Sequence, residues 1–104
     1  MIRVFCDGTA LTLQGHAGAA PYGQDLVCAA ATGLVYALAQ RLTELDAQGA
    51  FKKPPEVTLE PGDARIRVLP REGYAAQVEE DFRLISGGLR LLQKHYPEQI
   101  AVES

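Results

Sequence analysis

Two long stretches of the chain repeat their apolar residues every three or four positions, and this pattern limits the possible folds more than any other feature. Such a repeat indicates an amphipathic α-helix, whose apolar face must be buried against another element. The first predicted helix begins at Asp25 and ends near Asp46, before Gly49, and the second ends before Pro97. The apolar positions are Val27, Ala31, Leu34, Leu38, Leu42 and Leu45, then Val78, Phe82, Ile85, Leu89, Leu92 and Tyr96.

Each predicted helix follows a pair of short segments in which apolar and polar residues alternate, which is typical of a β-hairpin. Asp7-Gly8 divides the first pair, and Pro61-Gly62-Asp63 divides the second. Ile100 and Val102 alternate with polar or small neighbours and predict a short final strand. The order ββαββα therefore predicts an α+β fold, in which both helices pack on a mostly antiparallel sheet.

Length, charge and cysteine count narrow the class of protein. A chain of 104 residues encloses one hydrophobic core, so we expect residues 1–104 to form a single domain. A net charge of -3 repels phosphate and argues against direct binding to nucleic acid. The uninterrupted apolar stretches are far shorter than the roughly 18 residues of a membrane span, and the first residues lack the order of a secretory signal. We therefore expect a cytoplasmic protein without membrane contact, whose Cys6 and Cys28 remain free thiols.

Three chemically reactive side chains, His16, Asp25 and Cys28, gather around one segment and the helix that follows it. Glycines and Pro21 disfavour regular structure from Gly15 to Gln24, which predicts a mobile loop. Asp25 is expected to cap the helix, and Cys28 then lies in the first turn. The free N–H groups and the dipole of that turn favour negative charge, so they would stabilise a thiolate and hold an oxyanion.

This cluster predicts nucleophilic catalysis by Cys28, with His16 as its base, because the loop is long enough for the imidazole to reach the sulfur. Asp25 has a supporting role besides capping, and Thr32 lies one turn beyond Cys28 on the same helix face. The reaction requires no cofactor. A metal site made of the same three side chains is the rival, but structural zinc commonly takes four ligands with paired Cys or His spacing, which the chain lacks.

The residues around this loop also match a known family. They are Gly15-His16-Ala17-Gly18, Gly23, Asp25 and Cys28-Ala29-Ala30. Together they resemble the signature of the ribosomal-processing cysteine proteases, the Prp family, and the resemblance extends over most of the chain to Tyr96-Pro97-Glu98. It implies a homodimeric bacterial endopeptidase that removes the N-terminal extension of a large-subunit ribosomal protein, beside bulky apolar residues. Where the family usually carries serine, this chain has Thr32, which keeps the hydroxyl.

Simpler interpretations remain open for the same residues. Gly15, Gly18 and Gly23, which we assign with Tyr22 to a substrate loop, would let a peptide pass close to the backbone, yet they also suit plain turns. A cysteine on an alanine-rich helix is often just a small buried residue, and we expect this of Cys6 in its strand. The rival function is a non-enzymatic ribosome-assembly or peptide-binding module with an incidental or redox-active thiol.

Gly87 and Gly88 interrupt the second predicted helix. Each costs roughly 1 kcal/mol relative to alanine in a helix interior, so another contribution must compensate. A close approach by another backbone, such as that of a second copy of the chain, would do so.

Overall fold

Five strands and two long helices make up the fold, which a computed structural model describes for residues 1–15 and 22–104, leaving aside the side chains of 22–25. In chain order the elements are β1 Ile2–Asp7, β2 Ala10–Gln14, α1 Tyr22–Ala47, β3 Glu56–Glu60, β4 Asp63–Arg67, a 3-10 turn Glu72–Tyr74, α2 Ala75–His95 and β5 Ile100–Glu103. The predicted α+β class, the order ββαββα and the short final strand are confirmed.

The strands form one sheet in the order β3-β4-β2-β1-β5. The two hairpins meet at its centre, where β2 pairs antiparallel with β4. β5 pairs with β1 in parallel, with Ile2 opposite Ile100. Two parallel neighbouring strands need a crossover connection between them. Here the chain crosses over through α2, after which β5 runs beside β1 in the same direction. The sheet is therefore mixed but mostly antiparallel, as predicted.

Both helices contribute their apolar stripes to one core against the sheet. The predicted positions that are buried are Val27, Ala31, Leu38, Leu42 and Leu45 from α1, and Val78, Phe82, Ile85 and Leu89 from α2. Leu34 and Leu92 are partly buried against the same cluster, whereas Tyr96 lies just beyond α2 and is exposed. The four-three repeat therefore identified the core face of both helices correctly.

The outward side of α1 is also apolar. The helical segment Leu26–Ala47 has the length and apolar composition of a membrane-spanning helix, but the core helix of a globular protein can have the same length and composition. Only 33% of an apolar 18-residue stretch of this helix is buried inside the protein. Much of the apolar character of α1 therefore remains on its surface.

The helix layer stops short of the edge strand β3. Val57 and Leu59 pair with Ile66 and Ala64, which are buried, so all four side chains lie on the helix side of the sheet. Yet Val57 is 42% exposed and Leu59 38% exposed. The helices therefore cover this face of the sheet only in part, because neither helix extends over β3.

Candidate active site

Cys28 lines an open cleft of about 240 Å³ between α1 and the end of the β3–β4 hairpin. On the helix side, Cys28, Thr32 and Tyr36 follow one another at four-residue intervals and so share a face. Leu13, Leu59 and Ala64 form an apolar wall on the sheet side, and Cys28 itself is half-buried. The predicted common face of Cys28 and Thr32 is confirmed, and it borders a space that a ligand can enter.

Gly15 forms another part of the cleft wall, and its geometry excludes every other residue. Its N–H donates to the carbonyl oxygen of Gly62 over 2.9 Å, which ties the end of β2 to the turn of the second hairpin. Its φ is +95°, and a Cβ atom there would lie 2.5 Å from the carbonyl oxygen of Met1. The fold therefore requires glycine at this position, whatever part the residue takes in substrate passage.

Gly15→Ala is expected to reduce the free energy of unfolding by about 2 kcal/mol or more, since left-handed strain adds to a backbone clash. Gly8→Ala is the matched control, because Gly8 has φ +59° but nothing within 4 Å of an added Cβ. Its cost should be about 1–2 kcal/mol from the left-handed conformation alone. Urea unfolding measures both, and equal losses would show that the Met1 carbonyl imposes no constraint.

The start of α1 differs from the prediction. The helix begins at Tyr22, three residues before Asp25, so Tyr22 and Gly23 are helical rather than part of the predicted loop. Glycine is tolerated there because the first four N–H groups of a helix have no internal partner to lose. The prediction that Asp25 caps the helix is therefore wrong, and Cys28 is the seventh helical residue instead of the third.

This shift changes what the helix offers to the sulfur. The unpaired N–H groups belong to residues 22–25, and the influence of the dipole falls off within the first turn. Cys28 lies in the second turn, so the predicted anion stabilisation by its own turn is not available. His16, Gly18 and the side chain of Asp25 lie outside the described residues, and their roles stay predictions.

Cys6 occupies a separate, polar cavity lined by Phe82, Ser86 and Arg90. Burial raises the pKa of the Cys6 thiol, and the nearby Arg90 guanidinium only partly opposes this. The Cys6 thiol is therefore protonated at neutral pH, as suits the structural role predicted for it.

A family model described as cysteine protease Prp matches residues 2–101. The chain belongs to this family. It is therefore a cysteine protease, which confirms the predicted resemblance and enzyme class and sets aside the non-enzymatic alternative. A comparison with curated proteins found no significant match to the chain.

Solved structures share the fold of this Prp family member. The S. aureus ribosomal processing protease Prp with a substrate peptide has a TM-score of 0.73 and 17% identity, covering 99% of this chain and 97% of that one. The same S. aureus protein with a covalently linked product peptide has a TM-score of 0.71 and 18% identity, covering 98% of this chain and 95% of that one. SMU.848 from Streptococcus mutans has a TM-score of 0.69 and 22% identity, covering 98% of this chain and 90% of that one.

Among the cleft residues that were not identified as site residues from the sequence are Tyr36, Leu59 and Glu60. Tyr36 continues the four-residue spacing of Cys28 and Thr32, so the helical repeat could have revealed it. The other two come from a hairpin that is distant in sequence, and only the tertiary fold brings them to the thiol.

Proposed function

We propose that this Prp family member is a cytoplasmic endopeptidase that removes the N-terminal extension of a large-subunit ribosomal protein. The observation that carries the proposal is the Cys28 thiol at the wall of an open, largely apolar cleft in a cysteine protease. Such a cleft suits a bulky apolar side chain beside the scissile bond. The S. aureus relative, a ribosomal processing protease with a substrate peptide in its structure, supports the choice of substrate.

In the proposed reaction, His16 takes the proton of the Cys28 thiol, and the sulfur attacks the scissile carbonyl carbon. The C–N bond then breaks, and the leaving amine takes the proton from His16. Water hydrolyses the resulting thioester, which restores the thiol and releases the acid. Thr32, half-buried one turn from Cys28, and Asp25 support this pair, and the reaction needs neither a metal nor a cofactor.

The test is cleavage of the purified ribosomal protein, with and without its extension, from the same organism and without RNA. We expect intact-mass measurement to show one cut that leaves the mature start, and no cut in the mature form. If the wild-type enzyme leaves the extended protein intact, the proposed substrate is wrong.

We also propose a homodimer formed through the outer helix face, which comprises Leu26, Gly33, Ala37, Leu84, Gly87 and Leu91. Leu84 is 73% exposed and Leu91 57%, although both are large apolar residues. A Cβ on Gly87 would meet nothing within 4 Å, which leaves room for a partner backbone. Gly88 has an internal explanation instead, because its added Cβ would lie 3.1 Å from Leu34 Cδ1.

Leu84→Glu is expected to convert the dimer to a monomer, because a charge would have to be buried in an apolar interface. Leu69→Glu is the matched control, since Leu69 is also exposed, at 44%, but lies after β4 and off the outer helix face. Sedimentation velocity at micromolar concentrations distinguishes the two states. A wild-type monomer, or a Leu84→Glu dimer of unchanged affinity, would contradict the proposal.

A further inference from the structure

The uncovered edge of the sheet is a feature that the cleavage chemistry does not use. β3 is the last strand of the sheet, and all five of its residues pair with β4. No described residue pairs with its other side, which therefore presents N–H and C=O groups to solvent. Proteins commonly protect such an edge with charged side chains, proline or a bulge. The strand Glu56–Glu60 contains no proline and no bulge, and its two charged residues lie at its ends, so its central residues are unprotected.

The turn geometry shows which residues present these groups. Pro61-Gly62 joins the strands, so Glu60 and Asp63 flank a two-residue turn and form a hydrogen-bonded pair. Bonding alternates along an antiparallel ladder, and Thr58 therefore also bonds to β4. Val57 and Leu59 direct their N–H and C=O groups to the free side. Two residues of the edge can thus bond an added chain.

This edge runs directly into the catalytic cleft. Leu59 and Glu60 belong both to β3 and to the cleft wall that faces Cys28. The exposed side chains of Val57 and Leu59 extend the apolar surface of the cleft along the strand. A chain paired with β3 would lie beside this strand in the plane of the sheet, and its side chains on the helix side would extend the apolar surface, so that one of them could enter the cleft.

Charge indicates what kind of chain fits. In a fully overlapped antiparallel pair of two β3 strands, Glu56 of one copy would lie opposite Glu60 of the other at both ends, which is unfavourable. At one end of the edge, Glu56 pairs with Lys53 over 3.4 Å and lies opposite Arg67. At the cleft end, Glu60 lies opposite Asp63 and forms no ion pair within the described residues, so the acidic part of the edge is beside the cleft. A segment rich in Lys and Arg, as expected of a protein that binds ribosomal RNA, complements this edge better than a second copy does.

We propose that the substrate binds as an extended segment that adds to the free edge of β3 as a sixth strand, with one apolar side chain in the cleft beside Cys28. The inference rests on the proposed function, because its occupant is the cleaved ribosomal-protein segment. It assigns affinity to the backbone of Val57 and Leu59 and specificity to the cleft.

Val57→Pro tests the backbone contact, because proline removes the outward N–H without removing a bond to β4. Val57→Ala is the matched control, since it keeps the N–H and shortens the side chain. For the extended ribosomal protein we expect kcat/KM to fall about tenfold in Val57→Pro, mainly through KM, and less than about threefold in Val57→Ala. Equal losses in two variants with equal unfolding midpoints would overturn the inference.

Hydrogen exchange gives a second measurement that does not depend on how Val57→Pro folds. The Cys28→Ala protein is mixed with a synthetic peptide that spans the cleaved junction. We expect the Val57 and Leu59 amides to become protected on binding, whereas the Thr58 amide is protected in both states. If the peptide binds without protecting Val57 and Leu59, this inference is wrong while the proposed function stands. If the wild-type enzyme cuts no ribosomal protein, both this inference and the proposed function are wrong.

Discussion

Replacing Cys28 by alanine is expected to lower kcat/KM for the extended ribosomal protein by at least about 10³-fold, because the attacking sulfur is lost. Cys28 is half-buried and packs at the margin of the core, so removing one sulfur atom leaves little empty space. The thermal midpoint should therefore shift by no more than a few degrees. Activity is measured by intact-mass kinetics, and folding by circular dichroism. A folded Cys28→Ala enzyme with substantial activity would exclude a thiol mechanism.

Cys6→Ala is the matched control, since Cys6 is also half-buried but lines a different cavity. It should keep full activity. Alkylation distinguishes the same two thiols in the unmodified protein. Burial raises the pKa of Cys6, so its reaction with iodoacetamide should become rapid only above the ordinary pH range of thiols, where the thiolate forms. Cys28, which borders the open cleft, should react first, with loss of activity in step. Faster labelling of Cys6 at neutral pH would contradict this assignment.

The parts of the fold that local patterns determine were predictable. Alternation and the Pro61-Gly62 turn identified the second hairpin, and the four-three repeat identified the buried side of both helices. The exposure of Val57 was not predictable, because it depends on how far the helix layer extends over the sheet. Nor was the parallel pairing of Ile2 with Ile100, since it joins strands from opposite ends of the chain.

At the candidate site, too, the features set by local sequence could be predicted, and those set by distant contacts could not. Cys28 and Thr32 could be placed together because a four-residue spacing on a helix is a local property. Leu59 could not, since the hairpin that carries it reaches the cleft only through the order of strands in the sheet. The helix start was placed wrongly because glycine in a first turn breaks no internal hydrogen bond, so Gly23 does not mark the boundary.

That error at the helix start increases the importance of His16. With Cys28 in the second turn of α1, the unpaired N–H groups of the helix do not belong to its own turn, and thiolate formation depends more on a base. Gly15, which lines the cleft with Cys28, is the residue directly before His16 in the chain. The segment that carries the imidazole therefore starts at the cleft wall.

His16→Ala is accordingly expected to lower kcat by about 10²–10⁴-fold, the usual contribution of a positioned general base, with little change in KM. Added imidazole should restore part of the activity, since a free base can enter the open cleft, and it should not restore Cys28→Ala, which lacks the nucleophile. His95→Ala is the matched control, because His95 is exposed at the end of α2 and should be dispensable. Full activity in a folded His16→Ala enzyme would mean that another group takes the proton from Cys28.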